Sequence, residues 1–207
     1  MPRSLIASIL AALSLGVFAA PGAGAPAQAM SDSTAAWLSG VLRAPVGGRD
    51  VVVRATLESP QRASGTGRTV VGTYDPVKDQ IAILRAVTST YYSIMSPSTY
   101  PSVVIHENLH RREIALNCYS GLDEAITETL TLDLLPAWGW RFMRIRGLRA
   151  SAAYPKGVSY IRWLAVHTVG GKPYKRNPAA RRWVRTLWGA SCAVRSTMTG
   201  GAHVAAE

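Results

Sequence analysis

The period of apolar and polar positions changes several times along the chain, and each change predicts an element. Residues 5–20 are almost continuously apolar. Residues 30–49 are small and polar, with Gly near their end, the pattern of a flexible arm. Residues 51–57, 68–74 and 80–85 are rich in β-branched side chains and predict three strands, separated by a loop at 59–67 and a turn at Asp75-Pro76. Residues 88–99 read as a short helix or loop. The period then lengthens. Val103, His106, His110 and Ile114 share one stripe, which predicts a helix from about Pro101 to Asn117. Ser120-Gly121-Leu122-Asp123 reads as a capping box with Ser120 as N-cap. The helix that follows has an apolar face (Leu122, Ala125, Ile126, Leu130) and a polar one (Glu124, Thr127, Glu128, Thr131) and is expected to end at Pro136. Three more helical stretches, 138–149, 156–169 and 179–198, are separated by Gly170-Gly171 and Asn177-Pro178. The order predicts an α+β fold in a single domain over 50–207, without internal repeat.

The candidate chemistry lies in the first two of these helices. His106-Glu107-Asn108-Leu109-His110 is an HExxH pattern in a chain with 4 histidines. Residues four apart share a helix face, so both imidazoles can point at one metal ion, with Glu107 beside the first, in reach of a metal-bound water. Two histidines leave a zinc site one protein ligand short. The polar stripe of the next helix offers Glu124 as that ligand. Glu128, one turn on, is placed to accept from the outer nitrogen of a ligand histidine. Two neutral imidazoles and one carboxylate leave zinc a net positive charge and an open position, the setting for hydrolysis rather than for a structural site.

His106–His110 followed by Gly121-Leu122-Asp123-Glu124-Ala125-Ile126-Thr127-Glu128 resembles the gluzincin metallopeptidases, the group that includes thermolysin. Their pattern is HExxH plus a downstream Asn-Glu-x-x-x-Asp. The resemblance implies a zincin-like fold, one Zn2+ held by His106, His110 and Glu124, Glu107 as general base, and hydrolysis of peptide or protein substrates. The short gap from His110 to Glu124 matches the compact minigluzincin type. Asp123 stands for the usual Asn and Glu128 for the usual Asp. The paired motif covers under 30 residues. Gluzincins hold the tetrahedral oxyanion with a Tyr or His from outside both motifs. Tyr119, Tyr154, Tyr160 and His167 are candidates, and Tyr154-Pro155 ahead of an amphipathic helix resembles the downstream tyrosine of the small members. By the same analogy residues 80–86 are the strand that pairs with an extended substrate. A metzincin is excluded, because Glu113 and Leu116 stand where its Gly and third His are required.

Composition adds the setting. Residues 1–29 read as a signal peptide: Arg3 supplies the positive start, and Ala27-Gln28-Ala29 the small residues before a cut at Met30. The apolar run is short for a span and ends at Pro21-Gly22. A secreted or envelope-associated chain is expected, with no transmembrane segment once the leader is removed. Its only two cysteines, Cys118 and Cys192, then suggest a disulfide. The net charge is +11, and no acidic residue lies between Leu134 and Ala206, where thirteen Arg and Lys fall. Export turns that charge toward an anionic envelope, acidic substrates or a membrane surface rather than nucleic acid. Three functions fit: a secreted zinc peptidase, a zinc hydrolase of envelope (peptidoglycan) peptides, or an inactive basic envelope-binding protein that keeps a zinc site.

Overall fold

In the computed structural model the described residues are 24–46, 50–55, 71–88, 96–115 and 121–200. The fold is α+β, mostly helical with one small sheet. The elements run α1 (Gly24–Leu42), β1 (Asp50–Arg54), β2 (Gly72–Asp75), β3 (Gln80–Leu84), α2 (Thr99–Ala115), α3 (Gly121–Trp138), α4 (Pro155–Val169), α5 (Pro178–Gly189) and α6 (Cys192–Met198). Short 3-10 turns follow β3 and precede α5, and a π segment, Gly139–Met143, continues α3.

The sheet order is β1-β3-β2. β1 pairs β3 in parallel, with Val51 opposite Ile81, and β2 pairs β3 antiparallel, with Tyr74 opposite Ile81. The hairpin closes on Asp75, whose Oδ1 accepts from the N–H groups of Val77 and Lys78 at 3.0 and 3.2 Å. The Tyr74 hydroxyl donates to Asp79 Oδ1 at 2.5 Å.

α2 is the wedge between two apolar cores. Val103 and Val104 join Ala27, Val51, Ile81, Ile83 and Val87 on the sheet side. Ile105 and Leu109 join Leu38, Ile126, Leu130, Leu134, Trp138, Ile161 and Leu187 on the helical side. Each fully buried Val, Leu or Ile contributes roughly 1.5–3 kcal/mol, so the backbone that carries His106 and His110 is clamped from both sides. Gly157 of α4 has no side chain where a Cβ would lie 2.7 Å from Ala125 Cβ, so α4 crosses close over the start of α3.

Four expectations are corrected. Residues 30–42 of the expected arm are helical: they belong to α1, Gly24–Leu42, whose stripe Ala27, Ser31, Thr34 and Leu38 is buried. Polar bonds dock it. Asn108 Nδ2 donates to Ser31 Oγ at 3.0 Å, Trp138 Nε1 to Thr34 Oγ1 at 2.9 Å, and the Val51 N–H to Gln28 Oε1 at 2.7 Å. Ala27 and Gln28 of the expected leader are therefore part of this packing; residues 1–23 lie outside the described set. Second, α3 runs through Pro136 to Trp138. Proline costs one helical N–H there, and the chain widens into the π segment instead of turning. Third, 179–198 is two helices, broken at Ala190, whose backbone is extended. Fourth, β3 is the central strand, flanked on both sides, so 80–86 cannot take a substrate backbone as a further partner. The expected N-cap Ser120, Tyr119 and Cys118 lie outside the described residues, as does much of the expected strand at 68–74. The pairing of Cys118 with Cys192, the first residue of α6, is thus not described.

Candidate metal centre

α2 and α3 bring the polar face of one against the histidine stripe of the other. His106, His110 and Glu124 each turn one ligand atom inward, and these atoms lie within 4.8 Å of one another. The pairwise distances are 2.9 Å for His110 Nε2 to His106 Nε2, 3.2 Å for His106 Nε2 to Glu124 Oε2 and 3.4 Å for His110 Nε2 to Glu124 Oε2. Three ligands of a tetrahedral zinc, each about 2.0–2.1 Å from the ion, stand about 3.3 Å apart. The triangle therefore fits one face of such a site. His106 is the most open of the three, with its side chain 12% exposed.

Glu128 lies on the outer side of His106. Its Oε2 is 3.0 Å from His106 Nδ1, and its Oε1 accepts the Ala153 N–H at 3.0 Å. In the neutral ring a carboxylate at Nδ1 fixes the one proton there and leaves the Nε2 lone pair facing His110 and Glu124. Burial works against a charged His106, but Glu124 and Glu128 overcome it and push its pKa up to about 10. Burial also opposes the Glu124 carboxylate, and the His110 and His106 rings outweigh it and hold Glu124 well below the usual range. For Glu128 burial again opposes, and the His106 ring prevails and lowers it.

Glu107 is buried on the sheet side of α2. Burial pushes its carboxyl above the ordinary range, partly offset by the two histidines. Its neighbour is β2: a Cβ on Gly72 would lie 2.8 Å from Glu107 Oε1 and 2.4 Å from Val103 Cγ1. Gly72 thus makes room for the carboxylate, a role the sequence reading missed, although a lone Gly inside a strand is itself a sign of close approach. Gly72→Ala should lower stability by about 1–3 kcal/mol through overpacking, read as a fall in the denaturant midpoint; an unchanged midpoint would show that Val103 and Glu107 yield freely.

Tyr154 is half-buried at the N-cap of α4, directly after Ala153, whose N–H is bound to Glu128. Tyr160 and His167 stack with the exposed Trp163 at 6.1 and 5.1 Å between ring centroids. Asp123, expected in the capping box, is instead buried against Arg195 of α6, with Nη1 to Oδ1 at 2.5 Å. Arg195 was one basic residue among many in the sequence, and nothing in its spacing marked it as buried. Comparison with protein-family models, with curated proteins and with solved structures gives no match.

Proposed function

We propose that the chain is an exported zinc metallopeptidase of the gluzincin type, hydrolysing peptide bonds. The observation that carries this reading is the triangle of His106 Nε2, His110 Nε2 and Glu124 Oε2, a donor set of two imidazoles and one carboxylate with tetrahedral spacing. Zinc bound there would polarise the scissile carbonyl and acidify water. The chain's own groups do the rest. Glu107 takes a proton from the attacking water and delivers it to the departing amide nitrogen. Glu128 holds the His106 tautomer, anchored by the Ala153 N–H. Tyr154 is assigned to the developing oxyanion, supported by the tie between its neighbour and Glu128. β2 replaces β3 as the strand along the substrate, because it packs on α2 through Gly72 and Glu107. The Cys118–Cys192 disulfide belongs to the same proposal and would join the turn after α2 to α6.

Three protein ligands with a buried carboxylic acid beside them favour a catalytic over a structural site. An envelope-peptide hydrolase is the second reading, favoured by the exposed Arg181, Arg182 and Arg185 face of α5. It uses the same residues and would cleave wall preparations in preference to soluble peptides.

Chelator-stripped protein should take up one zinc per chain, measured by elemental analysis, and His110→Ala should take up none. Uptake at pH 7 should release protons, because Glu124 and Glu128 raise the His106 pKa in the metal-free chain and a ligand imidazole must shed that proton. Calorimetry in buffers of different ionisation enthalpy reads that proton. Equal zinc content in parent and His110→Ala would remove the basis of the proposal.

A further inference from the structure

The chain leaves α3 through a strained turn. The π segment Gly139–Met143 ends at Arg144, a non-glycine residue in the left-handed region with φ 59°. The N–H groups of Arg144 and Ile145 both donate to the Gly139 carbonyl, and this holds the turn. Its side chains divide sharply. Trp138 and Leu148 are buried, and the Phe142 ring lies 5.0 Å from Trp138 and 6.2 Å from Trp37. Facing out are Trp140, 45% exposed, Ile145, 36% exposed, and the exposed Arg141, Arg144, Arg146 and Arg149. The guanidinium carbons of Arg144 and Arg146 lie 5.8 and 4.9 Å from the Trp140 ring centre.

No acidic residue follows Asp133 before the last residue of the chain. Among the described residues none of these four arginines pairs with a carboxylate. The turn thus displays four uncompensated cations around an indole and an isoleucine, on a backbone pinned from inside.

We propose that the turn at 139–149 is a docking site for an anionic phospholipid surface. The chemistry is divided among its side chains. Guanidinium groups pair with lipid phosphates in two-point geometry. An indole settles at the headgroup level, and Ile145 reaches the acyl boundary beside it. A soluble polyanion would engage the arginines but would gain nothing from Ile145. Contact through the turn itself is at the surface, and no described helix is long and apolar enough to cross a membrane. The docking site does not depend on the metal centre: a stripped protein should dock as well as a zinc-loaded one.

The test is co-sedimentation of the full chain with vesicles of phosphatidylcholine alone or with about 30% phosphatidylglycerol, the added charge drawing basic segments to the surface. The parent should bind the anionic vesicles at least about tenfold more tightly than the neutral ones. Trp140→Ala and the double variant Arg144→Gln/Arg146→Gln should each weaken binding about fivefold or more, through lost indole partition and lost phosphate pairing respectively. All these positions are exposed, so the variants should melt with the parent, and a melting curve run alongside checks it. Absence of anionic-vesicle binding overturns the proposal. So does binding that Trp140→Ala leaves intact, which would mark capture by net charge alone. Heparin that competes fully while Trp140→Ala is silent would assign the patch to a soluble polyanion instead.

Discussion

Glu107→Gln should lower peptide hydrolysis by about 10²–10⁴-fold, the usual worth of a positioned general base, while zinc content stays at one per chain. Gln has the shape of Glu, so the packing against Gly72 and Val103 is kept. What is lost is the proton acceptor. The variant should also be no less stable without metal. Burial raises the Glu107 pKa above its ordinary 4.5, so the folded chain binds that proton more tightly than the unfolded one. Such a group costs stability as pH rises through and above that window, and a neutral amide removes the cost. The measurement is kcat/KM on a mixed peptide library for zinc-loaded parent and variant, with metal content and melting temperature followed together. Loss of cleavage with metal and fold intact assigns the base. Cleavage within a few-fold of the parent would exclude Glu107 from the chemistry. If the parent itself is inert on soluble peptides but loaded with zinc, wall preparations are the next substrate, and the same pair of proteins decides there too.

The two helices of the candidate metal centre were legible because their constraints are local. HExxH places both histidines one turn apart on any helix, and the stripe Glu124–Glu128 needs only the same period. The apolar residues of α3 that the periodicity selected, Leu122, Ala125, Ile126 and Leu130, are buried. α1 was illegible for a physical reason. Its buried stripe contains Ser31 and Thr34, which satisfy their polar atoms against Asn108 and Trp138 more than 70 residues away. Small polar residues read as loop unless those partners are known. The three strands could be read, but not their order. β3 is central because β1 joins it in parallel across the intervening hairpin strand, and no local pattern encodes that choice. Asp123 and Arg195 show the same limit. One read as a cap and the other as surface charge, until a contact across 72 residues made them one buried pair.

That pair predicts a large stability effect from a single substitution. Arg195 is 2% exposed and Asp123 5%. Besides Asp123, the guanidinium donates to the carbonyls of Trp188 and of Ala190, the latter at 3.0 Å, and so ties the end of α5 and the break before α6 to the first turn of α3. Arg195→Met keeps much of the volume but removes the guanidinium from Asp123 and from both carbonyls. Breaking one side of a buried ion pair costs about 3–5 kcal/mol, and at about 2–4 °C per kcal/mol for a chain of this size the melting temperature should fall by roughly 10 °C. The double variant Arg195→Met/Asp123→Asn should recover part of that loss, because a buried amide is cheaper than a buried carboxylate left short of its cation. Asp123 is next to Glu124, so a shift of the first turn of α3 forced by the unpaired carboxylate should also displace that ligand and weaken zinc binding, and the double variant should recover affinity along with stability. Recovery of both assigns the defect to an unbalanced charge at the start of α3. Recovery of neither would place the work of Arg195 in its two carbonyl bonds, which hold α5 against α6 and never touch the ligand helix.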